Sequence, residues 1–132
     1  MTNEDLLEHA KIARESACVS ISGFKVGAAL LLKNGKVIYG CNIEDPSGIG
    51  ITNVCAERCA IIKALSEGHK DGEGFEKIAV VGGLDELVFC PPCGACRQYL
   101  KSWCPDIKVI LSENDKTKEY DLSDLLPHSF EL

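Results

Sequence analysis

Apolar positions recur at three- and four-residue steps at the start of the chain, where Leu6, Ala10, Ala13 and Ala17 form one face. That spacing predicts an amphipathic helix. Thr2 or Asn3 can cap it, and Glu4 and Asp5 fall in the first turn, where the helix dipole favours negative charge. Ser22-Gly23 ends the element or the loop after it. The pattern then changes. Residues 26–32 are apolar almost without a break, and a second run covers 36–43. Asn34-Gly35 between them is a strong hairpin signal, because both residues tolerate positive φ in a tight turn. An unbroken apolar strand predicts cover on both faces.

Residues 44–52 carry Pro46, Gly48 and Gly50 and read as a loop. A helical pattern follows through Ala60, Ile61, Ile62, Ala64 and Leu65, with Gly68 as its C-cap. Residues 69–74 are a polar turn. Residues 78–82 form a short, central apolar strand. Asp85-Glu86 marks a turn, and 87–89 lead to a third helix over 97–103, stopped before Pro105. A strand at 107–111, an edge strand at 116–120 and a helical turn at 122–126 complete the order. Strands interleaved with helices predict an α/β fold, a three-layer α/β/α sandwich around one mixed sheet. With no repeat or linker, residues 1–132 read as a single domain.

Charge narrows the partners. The net charge of −6 argues against broad contact with nucleic acid or an anionic membrane, which would favour a basic patch. No apolar run approaches the ~20 residues of a membrane span. The acidic, polar start is not a signal peptide, so a cytoplasmic protein is expected. Eight cysteines can mean a disulfide scaffold. Here the core is adequate without staples and the cysteines cluster in CxxC form, which in a reducing setting points to metal.

The chemistry lies in two stretches. Residues 53–60 place Cys55 two residues before Glu57, and residues 91–98 supply Cys93 and Cys96. Three thiolates can hold zinc and leave its fourth position open, as a catalytic zinc requires. Residues i and i+2 diverge inside a helix, so Cys55 and Glu57 converge only in the first turn of one. Zinc with three thiolates carries a formal charge near −1. Two helix N-termini and cationic donors to the sulfurs, with Arg58 and Arg97 as candidates, offset it. Glu57 would then move the proton of a zinc-activated water. The plainer reading of Glu57 is a first-turn glutamate serving the helix dipole.

Other residues have plainer readings. Cys90 forms a second CxxC with Cys93 and is an alternative ligand, although Pro91-Pro92 holds it back in extended chain. Cys59 falls a turn away from the metal. Cys18, Cys41 and Cys104 read as small buried hydrophobes. His9 reads as a solvated or helix-pairing residue and His69 as an exposed loop residue.

The sequence resembles the small zinc-dependent cytidine deaminases over nearly its whole length. Cys-Ala-Glu-Arg at 55–58 and Pro-Cys-Gly-Ala-Cys-Arg-Gln at 92–98 resemble that family's two zinc signatures. Phe24 to Leu30, Gly40 to Glu44, and Leu125-Leu126-Pro127 with Phe130 resemble its first strand, its nucleoside-binding strand end and its tail. The resemblance implies one zinc ion per subunit on Cys55, Cys93 and Cys96, with Glu57 as proton shuttle. It implies Asn42 and Glu44 on the ribose hydroxyls, Phe24 against the pyrimidine, Ala56 among the substrate contacts, and Phe130 closing a neighbouring subunit's site in a homotetramer.

Two departures stand out. The strand end is followed by residues 45–50 without the family's usual aromatic, in a longer loop, and Ser20-Ile21 replaces an aromatic before Phe24. They leave cytidine, deoxycytidine and modified aminopyrimidine nucleosides open as substrates. The reading is hydrolytic deamination of cytidine and 2′-deoxycytidine in pyrimidine salvage. The rivals are a deaminase of a related compound such as blasticidin S, and a structural zinc module that binds a partner. A polynucleotide substrate lacks a basic-aromatic groove, and a free nucleotide lacks a phosphate-cradling loop.

Overall fold

The computed structural model describes residues 1–69 and 74–132, so residues 70–73 of the expected polar turn lie outside the described residues. The described elements run α1 (Asn3–Arg14), β1 (Lys25–Leu32), β2 (Val37–Cys41), a 3-10 turn (Gly50–Thr52), α2 (Ala56–Ser66), β3 (Phe75–Gly83), α3 (Gly94–Trp103), β4 (Lys108–Glu113), β5 (Lys116–Asp121) and α4 (Leu122–Leu125). The five strands form one mixed sheet in the order β2-β1-β3-β4-β5. Only β3 and β4 are parallel, joined by the α3 crossover. The expected central strand is central, and the expected edge strand is at the edge.

Strand alternation sorts the core into two layers. Ala28, Leu30, Ile78, Val80, Val109 and Leu111 pack with Ala60, Ile61, Ala64 and Leu100 of α2 and α3. Ala29, Leu31, Ala79, Val81 and Ile110 pack with Leu6, Leu7 and Ala10 of α1 on the other face. This is the three-layer sandwich, and it explains why β1 reads as apolar throughout. Each fully buried Leu or Ile contributes about 1.5–3 kcal/mol. Two glycines let the helices close on the sheet. A Cβ on Gly27 would lie 2.7 Å from Arg14 Cα, and one on Gly40 would lie 2.9 Å from Ala60 Cβ and closer still to α2 backbone.

Local chemistry sets the element ends. Thr2 caps α1 in a capping box with Asp5. The helix stops at Arg14, so Ala17 lies beyond it; after Ala13 the chain must turn towards β1. Gly68 ends α2 at φ +101°, with Gly68 N–H to Leu65 O and His69 N–H to Ala64 O closing a Schellman motif. In the Asn34-Gly35 turn only Gly35 has positive φ. The pair with positive φ at both positions is Asn114-Asp115, which joins β4 to β5. No described helix is long and apolar enough to cross a membrane.

Candidate active site

Both cysteine clusters open helices. Cys55 is the N-cap of α2 and Cys93 the N-cap of α3, each in extended backbone with no side-chain capping bond. Glu57 and Cys96 follow in the first turns. This is the placement that convergence of Cys55 with Glu57 requires. The Cys55, Cys93 and Cys96 sulfurs all lie within 4.8 Å of one another, the one group of its kind among the described residues. Cys55 Sγ and Cys93 Sγ are 3.8 Å apart. Sulfurs bound tetrahedrally to zinc at ~2.3 Å stand about 3.8 Å apart, so the cluster fits that ion.

The surroundings favour thiolate. The Cys96 thiol donates to Cys55, and with the Arg58 guanidinium it lowers the Cys55 pKa to about 5. Arg58 Nη2 reaches Cys55 Sγ at 3.5 Å and Asn53 O at 3.4 Å. Its Nε is buried without a hydrogen-bond partner among the described residues. Cys96 is pushed the other way, chiefly because it donates to Cys55 and because it is buried. Arg97, expected at the sulfurs, instead donates to Pro92 O at 2.8 Å and Leu125 O at 2.6 Å. It therefore acts on the backbone beside Cys93.

Glu57 is 4% exposed, the one charged residue that is buried among the described residues. Burial raises its pKa, and a hydrogen bond with Cys96 offsets part of the rise. A glutamate serving only the helix dipole would face water. This one faces the sulfurs. Together with Val26, Asn42, Cys55, Ala56, Cys90, Pro91 and Cys93 it lines a pocket of about 160 Å³. A larger groove of about 710 Å³, lined by Phe75, Trp103 and Lys108, lies at the other end of the strands and contains none of these groups.

Asn42 lines the pocket and Glu44, two residues on, is outside its lining; both have backbone duties of their own. Asn42 donates to Phe24 O at 2.8 Å and accepts from Val26 N–H at 2.9 Å, which pins the start of β1. Glu44 Oε1 accepts from Ile21 and Ser22 N–H at 3.1 and 3.0 Å. The Ser22 bonds keep the carboxylate below its usual pKa. Phe24 is half-buried and is not among the lining residues, although it is near the lining residue Cys90: a Cβ on Gly82 would meet its ring at 3.1 Å and Cys90 Sγ at 2.6 Å. Phe130 is 71% exposed and outside the pocket of its own chain.

Sequence reasoning missed Val26 and Pro91 as lining residues. Cys90 belongs to the pocket wall and not to the sulfur group. Burial, with the Glu57 charge adding, pushes its thiol up to about 11, so it stays neutral. Cys104 is buried, as expected, but Cys18 is exposed and Cys41 and Cys59 are intermediate. His9 pairs with Tyr39 OH across to β2.

Three comparisons bear on this arrangement. A family model described as the cytidine and deoxycytidylate deaminase zinc-binding region matches residues 1–112. A cytidine deaminase of Halalkalibacterium halodurans is 48% identical over 132 residues, spanning 98% of this chain and 95% of its own. The crystal structure of a cytidine deaminase from Burkholderia pseudomallei matches with a TM-score of 0.88 and 42% identity, covering 98% of this chain and 100% of that one. A blasticidin-S deaminase of Bacillus cereus is 33% identical over 92% of this chain and 89% of its own.

Proposed function

Because the chain belongs to the zinc-dependent cytidine deaminase family, we propose that it hydrolyses cytidine and 2′-deoxycytidine to uridine and 2′-deoxyuridine with release of ammonia. The observation that carries the reading is Glu57, a buried carboxyl of raised pKa beside three converging cysteine sulfurs. Cys55, Cys93 and Cys96 would hold one zinc ion, which when bound would supply an activated water for attack at C4 of the base.

Glu57 does the proton work. Its burial makes it basic enough to accept a proton from that water and acidic enough to release it. The proton goes to N3 of the ring as the bond to C4 forms. Glu57 then takes the proton of the new C4 hydroxyl and gives it to the amino group, so that the C4–N bond breaks, ammonia leaves and the C4 carbonyl forms. Ala56 and Val26 shape the slot for the ring, and Phe24 supports it from behind. Asn42 and Glu44 take the sugar hydroxyls. Glu44 is suited to this because hydrogen bonds from Ser22 and the Ile21 N–H hold its carboxyl below the usual pKa and so keep it ionised.

Residues 1–132 act as one domain, in the cytoplasm, where the eight free thiols stay reduced. The working form is a homotetramer. Leu84, Val88 and Phe89 near the pocket are exposed, as is Phe130, and association would cover them. Phe130 of one copy then closes the site of another.

The test is absorbance on mixing zinc-loaded protein with cytidine, 2′-deoxycytidine or blasticidin S. Conversion of the two nucleosides, reduced roughly 10²–10⁴-fold by Glu57→Gln with zinc retained, is expected. Full activity in that variant overturns the mechanism. Turnover of blasticidin S alone would replace the substrate. Zinc binding with no turnover of any would leave a structural zinc module.

A further inference from the structure

Ile43 and Val54 exchange both backbone hydrogen bonds, each 2.9 Å. That short antiparallel bridge sets Asn42 opposite Cys55 and Glu44 opposite Asn53, so the residues on either side of the loop are held together. The loop between them has almost no apolar anchor: Ile49 is 54% exposed and Ile51 93%. Asp45 holds it instead. One carboxylate oxygen accepts from the Ser47 N–H at 2.8 Å and the Ser47 hydroxyl at 2.7 Å. The other accepts from the Thr52 hydroxyl at 2.5 Å. The Asp45 N–H donates to Asn53 Oδ1 at 2.7 Å, and its carbonyl accepts from Gly48 N–H at 2.9 Å.

We propose that Asp45 is a positioning residue for sugar recognition: by closing residues 45–53 on themselves it fixes the Glu44 carboxylate relative to Cys55. The proposal rests on the reading of Glu44 as a sugar ligand. Asp45 touches no substrate. It acts because Glu44 is its direct neighbour, and because Asn53, its other partner, leads through Val54 into Cys55. Without the Asp45 carboxylate, nothing buried ties Pro46, Gly48 and Gly50 to one conformation. Glu44 would then sample positions that still let the base reach the metal but misplace the sugar contact.

The experiment compares 2′-deoxycytidine with 2′,3′-dideoxycytidine, which differ only in the 3′-hydroxyl, on zinc-loaded wild type, Asp45→Ala and Asp45→Asn. Wild type should prefer the hydroxylated nucleoside. In Asp45→Ala the ratio of their kcat/KM values should fall about tenfold, the worth of one good hydrogen bond, through KM for 2′-deoxycytidine. Dideoxycytidine kinetics should not change. Asp45→Asn should keep the ratio, since an amide oxygen can accept from Ser47 and its N–H can meet Thr52 Oγ. Amide exchange at Ile21 and Ser22, which bond to Glu44, should speed up in Asp45→Ala alone. Equal loss on both nucleosides marks a merely structural residue and overturns the proposal, as does an unchanged ratio with unchanged exchange. A wild type that treats both nucleosides alike removes Glu44 as the sugar reader, and the proposal with it.

Discussion

Arg58 stands one turn beyond Cys55 on α2 and points its guanidinium back at that residue's sulfur, 3.5 Å away. Its position explains how a three-thiolate site keeps usable chemistry. The arginine charge and two helix N-termini oppose the charge of the sulfurs. Arg58→Ala should weaken zinc binding by roughly 10–100-fold, measured by competition with a chromophoric chelator. In metal-free protein, Cys55 alkylation should level off above pH ~5 in wild type and at higher pH in the variant, following its lowered pKa of about 5. Equal zinc affinity in both proteins would remove Arg58 from the charge balance.

Glu57 makes stability depend on pH with a definite sign. Burial raises its pKa above the ordinary 4.5, so the folded chain keeps this proton to higher pH than the unfolded chain. Between those two values the native state binds more protons, and stability falls as pH rises. Above the raised value the cost stays constant. Urea unfolding of metal-free protein should show Glu57→Gln gaining on wild type as pH rises above the ordinary 4.5, until the raised value is passed. A gap that does not widen with pH would show that this carboxyl is not held neutral by the fold.

Gly40→Ala tests the seat of the metal helix. The new methyl would meet Ala60 Cβ at 2.9 Å and the α2 backbone at Ala56 and Ala60. Overpacking of this kind costs about 1–3 kcal/mol, read from the urea midpoint. Because α2 begins at Ala56, directly after Cys55, zinc affinity should fall as well. A variant as stable as wild type would mean that α2 moves freely on β2.

Phe130 should separate stability from activity. It is exposed on its own chain, so Phe130→Ala should change the stability of the dissociated chain by less than about 0.5 kcal/mol. If it closes a neighbour's site, kcat/KM should nevertheless drop, and sedimentation should show whether the assembly persists. Unchanged kinetics would leave Phe130 with no part in the site.

Much of this was legible in the residues. The unbroken apolar run of β1 announced two covered faces, and the spacing of Cys55, Glu57, Cys93 and Cys96 announced the centre before any fold was known. What sequence did not reveal are relations between distant segments. Ala17 continues the helical period, yet α1 ends at Arg14, whose side chain donates to Lys25 O at 3.0 Å, Gly83 O at 2.9 Å and Leu84 O at 2.7 Å. Cys18 is apolar enough for a core but follows the helix into an exposed turn, where it pairs with Ile43. Arg97 looks equivalent to Arg58 in its motif. The carbonyls of Pro92 and Leu125 lie closer to it in space, and no local pattern encodes the second of these.

The position of β3 has a consequence for maturation. Cys55 and Cys93 are separated in the chain by the whole of β3, which pairs with β1 on one side and β4 on the other. The two helix starts meet only once that central strand is inserted. Non-local pairing of this kind forms slowly. Metal capture is therefore expected to be a terminal event, with zinc sealing a finished fold instead of nucleating it. Stopped-flow refolding should show a main phase whose rate is indifferent to zinc concentration, followed by a zinc-dependent phase. A main phase accelerated by zinc would place the ion at the start of folding.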